Sequence, residues 1–102
     1  MNRHYIVVKD VHYYSSRYKK AITVKKGFIS DGATGAPDIK SFSWLVHDWL
    51  YEKKCFDDGT PCSYKQANLI LRDILVCEGH KFEAIIWYAA VELFRKLFDY
   101  NY

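Results

Sequence analysis

SFSWLVHDWLYEKK, residues 41–54, is where the chain changes character. Trp44, His47, Asp48 and Tyr51 recur three or four residues apart and share one side of a helix, while Leu45, Trp49 and Leu50 fall elsewhere on it. The spacing predicts a helix over residues 41–53 with Ser41 as its cap. It also raises a chemical question, because His47 and Asp48 stand together in an apolar run where either would be costly to bury.

Toward the N-terminus the pattern is different. Residues 4–14 (HYIVVKDVHYY) and 19–26 (KKAITVKK) are rich in Val, Ile, Thr and Tyr, and residues 15–18 between them read as a turn. A small antiparallel sheet follows, with residues 27–30 adding a short third strand. Residues 30–38 (SDGATGAPD) form a loop punctuated by Gly32, Gly35 and Pro37, in which Asp31 and Gly32 make a turn and Pro37 fixes the start of the helix.

Toward the C-terminus the chain stays helical. A loop over residues 55–62 leads to Ser63, which caps a helix over residues 63–78, stopped by Gly79. Ala67, Ile70, Leu71, Ile74 and Leu75 form its core stripe. A third helix over residues 82–98 carries Phe82, Ile85, Ile86, Ala89, Ala90, Leu93 and Leu97 on its apolar face. The expected fold is α+β: a small N-terminal antiparallel sheet followed by three helices. It forms one domain over residues 1–102, β-rich over 1–30 and three-helical over 41–99, without repeats or linkers.

Composition bounds the function. The 102 residues are 50% hydrophobic and 18% aromatic, which is the profile of a folded chain. Fifteen Lys and Arg against 12 Asp and Glu give a net charge of +3, dispersed except near Arg17, Lys19, Lys20, Lys25 and Lys26, so nucleic acid is not indicated. Cys55, Cys62 and Cys77 are odd in number and lack CxxC spacing. The interval between Cys55 and Cys62 permits a bridge, but reduced thiols are the simpler reading, and the first ten residues lack a secretory apolar run. Residues 82–94, the longest apolar candidate for a membrane span, are interrupted by Glu83 and Glu92. These features place the chain inside a cell.

The His47 and Asp48 pair has a hydrolytic reading. An imidazole held by a second polar group can act as a general base on water. An adjacent carboxylate, helped by Asp31, Asp38 and loop carbonyls, can hold calcium, which would polarise a carbonyl for ester hydrolysis. Trp44 beside the pair and Gly32 and Gly35 in the loop complete the candidate binding surface.

Residues 35–51, GAPDIKSFSWLVHDWLY, resemble the heart of secreted and viral phospholipase A2 enzymes, in which a glycine-rich calcium loop precedes a helix bearing a His-Asp pair and then a Tyr. The resemblance implies His47 as base, Asp48 as calcium ligand and Tyr51 as a supporting hydroxyl. Those enzymes orient the His with an Asp, often preceded by Ala, on the next long helix. Here Ala67 matches, but Asn68 replaces the carboxylate and gives up the charge that would stabilise an imidazolium. The cysteine staples of the secreted enzymes are absent too, and the match covers about a third of the chain.

From residue 24 onward a broader resemblance applies. The order GFISDGATGAP, LVHDWLY, QANLIL and WYAAVELF is similar to a family of small bacteriophage and prophage proteins, whose pattern also has Ala-Asp where this chain has Ala67 and Asn68. That resemblance implies a phage origin and the three-helix layout, and no activity.

The non-catalytic reading makes His47 and Asp48 a buried polar clip, with Asp31 or a loop backbone group accepting from His47 and Asp48 capping loop amides or pairing with a Lys. Asn68 favours this clip over an active hydrolase. Residues 57–60 (DDGT) read as a plain turn, and Cys77 with His80 as a polar helix end, not metal sites. The C-terminal aromatics and Tyr5, Tyr13, Tyr14 and Tyr18 suggest a protein-binding face. The leading expectation is therefore a phage accessory protein that binds a phage or host protein, as a virion component or an inhibitor of a host defence factor. The alternative is a calcium-dependent phospholipase A2-like hydrolase acting on membrane lipid.

Overall fold

β-branched and aromatic residues in the N-terminal quarter build two short antiparallel pairs. The computed structural model describes residues 5–30 and 43–97. β1 (Tyr5–Ile6) pairs with β4 (Ile29–Ser30), and β2 (Val11–Ser15) pairs with β3 (Lys20–Val24) in a hairpin with Tyr13 opposite Ile22. The expected first strand is thus broken at residues 7–10. There the backbone bends, with Val7 N–H donating to the Phe28 carbonyl, Gly27 N–H to the Val7 carbonyl and Lys26 N–H to the Asp10 carboxylate. The expected third strand exists as β4, but it joins β1 instead of the hairpin. Alternation in β3 turns Ile22 and Val24 into the core.

Three helices follow: α1 (Ser43–Lys53), α2 (Tyr64–Cys77) and α3 (Lys81–Leu97). Ser41, the expected cap of α1, lies outside the described residues. Ser63 caps α2 in a capping box, its hydroxyl accepting from Gln66 N–H while the Gln66 side chain accepts from Ser63 N–H. Gly79, at φ 88°, takes the left-handed conformation that ends α2, and His80 N–H reaches the Leu75 carbonyl. Residues 57–60 are a turn, as expected: the Asp58 carboxylate accepts from Thr60 N–H and hydroxyl. Asp57 fastens that turn to β3 by accepting from Thr23 N–H at 2.8 Å and from its hydroxyl. The cysteines are free, as expected.

The main core joins Ile22 and Val24 of the hairpin, Val46 and Leu50 of α1, Phe56, Cys62, and Ala67, Ile70 and Ile74 of α2. Burying each large aliphatic side chain here contributes about 2 kcal/mol. Leu71 and Leu75, about 90° round α2 from that core face, meet Ala84 of α3, with Trp44, Trp87 and Val91 packed around them. The Phe28 ring meets Trp49 edge-on at 5.1 Å and seats the sheet on α1.

α3 overturns one expectation. Its inward residues are Ala84, Trp87 and Val91, whereas Phe82, Ile85, Ile86, Ala89, Ala90, Leu93 and Leu97, read from the sequence as its apolar face, are exposed. Both sides of the helix are apolar, so periodicity alone does not say which side faces α2. Among the described residues no helix is long and apolar enough to cross a membrane.

Candidate functional site

His47 and Tyr51, one turn apart on α1, face Asn68 on the second turn of α2, and Asn68 in turn faces Glu92 on α3. One buried side chain therefore joins all three helices. Asn68 Nδ2 donates to Glu92 Oε2 at 2.7 Å, which directs Asn68 Oδ1 at α1. Tyr51 Oη donates to that oxygen at 2.8 Å, and His47 Nε2 lies 2.7 Å from it. A carbonyl oxygen only accepts, so Nε2 carries a proton; a neutral His47 ring then has its lone pair on Nδ1.

Nδ1 is buried and has no hydrogen-bond partner among the described residues. Its neighbouring carboxylate oxygen, Asp48 Oδ1, is 3.8 Å away, beyond hydrogen-bond length. Trp44 Nε1 is likewise buried without a described partner. The rings form a continuous series: Trp87 meets Trp44 edge-on at 5.7 Å, Trp44 meets His47 edge-on at 5.6 Å, and His47 lies 4.2 Å from Tyr51.

The charge absent from Asn68 reappears one position further out, where it is already neutralised. Arg95 grips Glu92 with Nε at 3.0 Å and Nη2 at 3.1 Å. Burial pushes the Glu92 carboxyl up, but hydrogen bonds from Arg95 and Asn68 outweigh it and hold the group below its ordinary range. Burial also pushes the Tyr51 phenol up to about 12, against the opposing pull of its hydrogen bond to Asn68.

Beside this cluster lies an open cleft of about 390 Å³ lined by Phe28, Ile29, Asp48, Tyr51 and Glu52. His47 is not part of the lining. Asp48 and Glu52, one turn apart, supply two carboxylates there, at most four of the six to eight oxygens calcium takes. Among the described residues no group of three or more His, Cys, Asp or Glu side chains is placed to hold a metal ion. Asp31, Asp38, Gly32 and Gly35 lie outside the described residues.

Of the candidate residues, then, His47, Asn68, Tyr51 and Trp44 are brought together, with Asp48 at the margin. The partner of His47 is Asn68, where a loop group had been expected in the clip. Glu92 and Arg95 escaped sequence reasoning as site residues. Their signal was a carboxylate interrupting an apolar run, followed three residues later by an Arg. No family model, curated protein or solved structure matches the chain.

Proposed function

We propose that this chain is a noncatalytic accessory protein that works by binding another protein through the outer face of α3. The observation that carries this reading is the row of large apolar side chains exposed on one helix, led by Phe82 at 73% and Ile85 and Leu97 at 69%. A monomer gains nothing by leaving such a row in water, and contiguous apolar patches mark contact surfaces. The His47, Asn68 and Glu92 series gives the other half of the reading: it ties α1, α2 and α3 together and keeps the binding helix rigid. Apart from His47 Nδ1, its polar atoms are directed at one another, and His47 is not among the residues that line the neighbouring cleft. The resemblance to phage proteins supports a role in the virion or against a host defence factor, in the bacterial cytoplasm or the particle.

Replacing Ile85 with a photoreactive phenylalanine analogue in bacterial cells tests this, with the same replacement at Tyr14 on the hairpin as control. A discrete adduct from position 85 alone is expected. Equal labelling at both positions, or none, would remove the binding face.

The hydrolase reading is favoured by one observation, the orientation of His47. With Nε2–H held by Asn68 and Tyr51 bonded to the same oxygen, the Nδ1 lone pair lies on the Asp48 side, as a base acting on water requires. In that reading Asp48 would anchor calcium, which would polarise an ester carbonyl. Titration calorimetry with calcium on the wild type and Asp48→Asn, followed by ester turnover in His47→Gln, decides it. Saturable binding lost with Asp48→Asn and turnover lost with His47→Gln would favour the hydrolase. Absence of both in the wild type would leave the tie.

A further inference from the structure

The outer face of α3 is symmetric in a way that a binding helix for an unrelated partner need not be. Positions equidistant from the midpoint between Ala89 and Ala90 carry matched apolar residues: Ile86 with Leu93, Ile85 with Phe94, and Phe82 with Leu97. These six are 44–73% exposed. At 100° per residue, Phe82, Ile86, Ala89, Ala90, Leu93 and Leu97 lie within about 50° of one line along the helix, and Ile85 and Phe94 flank it at about 90° on either side. The face is therefore a ridge of large side chains with a narrow waist of two alanines at its centre.

We infer that α3 docks against the α3 of a second copy, antiparallel, about a two-fold axis through the Ala89–Ala90 midpoint. This rests on the reading of α3 as the binding face and names its occupant. A two-fold interface requires one patch complementary to itself, and this sequence meets that condition position by position. The alanine waists let the helices approach closely, Ile86 meets Leu93 of the second copy, and Phe82 meets its Leu97. The area is sufficient: six large side chains at these exposures present on the order of 700 Å² of apolar surface. Two copies together therefore reach the ~1,200 Å² at the lower bound of stable interfaces. A lipid surface fits less well. It would leave the waist unfilled, and the cations of α3, Lys81, Arg95 and Lys96, are balanced in part by Glu83 and by the Glu92 carboxylate that Arg95 already grips.

Single cysteines test both the pairing and its direction, in a background of Cys55→Ser and Cys77→Ser that leaves the buried Cys62. At an interhelical distance of about 8–9 Å, Ala90→Cys in the two copies would place its Cα atoms about 6 Å apart, within disulfide range. Phe82→Cys in the two copies would be roughly 22 Å apart along the helices. Mild oxidation should give a dimer of twice the 12.1 kDa chain as the main product from Ala90→Cys and not from Phe82→Cys. Sedimentation of the unoxidised wild type should show the same doubled mass. Cross-linking at both positions would overturn the antiparallel arrangement. A monomer in sedimentation with no cross-link at position 90 would overturn self-association. So would a monomer that moves onto anionic vesicles. A position-85 photoadduct with a different protein would then leave the binding reading intact with another occupant, and loss of that adduct as well would remove both.

Discussion

Asn68 is the residue on which the interior depends. Its amide accepts two hydrogen bonds and donates a third while fully buried, and its orientation follows from the carboxylate of Glu92 on one side. That orientation fixes the tautomer of a neutral His47. Long-range nitrogen–proton NMR correlations at pH values where the ring is neutral should show Nε2 protonated and Nδ1 bare; the reverse would mean that the amide is turned round. Tyr51 gives a second handle. Burial pushes its phenol up to about 12 in the folded chain, against about 10 for an unperturbed tyrosine. Between those values the folded state keeps a proton that the unfolded chain has released. The contribution of Tyr51 is therefore complete below pH 10 and is lost as pH rises through 12. Burial also pushes the Tyr13 and Tyr18 phenols up, so phenolate absorbance followed against far-ultraviolet circular dichroism should show several tyrosines titrating late in the wild type and one fewer in Tyr51→Phe.

At the scale of the element, the series from α1 through α2 to α3 explains why an Asn and not an Asp suits this fold. An Asp at position 68 would place a carboxylate oxygen where Nδ2 now meets Glu92 at 2.7 Å. Two carboxylates that close share a proton, so one has its pKa raised in the folded state, and the stability tied to that proton is present at low pH and lost as pH rises. Asn68→Asp should therefore fall progressively below the wild type in stability as pH rises through the raised carboxyl pKa, and adding Glu92→Gln should lessen that fall, leaving the part that comes from His47 on the other side of position 68. A pH-independent difference would mean that Glu92 does not face position 68. The helices themselves were legible in the sequence, and α2 most fully, because Ser63, Gly79 and the stripe from Ala67 to Leu75 combine start, stop and buried face. α3 was legible as a helix but not in orientation, since Trp87 and Val91 on one side are as apolar as Ile86 and Leu93 on the other. The break in the first strand was hidden because it rests on Asp10 and Val7 bonding to residues 26–28, a contact between distant positions that no local propensity records. The meeting of His47, Tyr51 and Asn68 followed from motif order, whereas Glu92 and Arg95 needed the packing of α3 on α2.

For the whole molecule, the α+β layout separates two roles. The hairpin, the turn at residues 57–60 and α1 form one packed side, held by Asp57 on Thr23 and by the fork of Arg17 on Asp73 of α2 at 2.7 and 2.9 Å. α3 packs on a neighbouring face of α2, bound inward by Ala84, Trp87 and Val91 and presenting its apolar row outward. The central claim is that the polar series inside is structural and the apolar row outside is not part of the chain's own core. Urea denaturation of two variants, at a concentration low enough for the chain to be monomeric, tests it most directly. Asn68→Ala strips partners from His47, Tyr51 and Glu92 and should lower stability by about 3–5 kcal/mol. Leu93→Glu changes a side chain that is 58% exposed and should stay within about 0.5 kcal/mol of the wild type. A stable Asn68→Ala with a strongly destabilised Leu93→Glu would contradict the account, because the outer face of α3 would then be core and the buried amide dispensable.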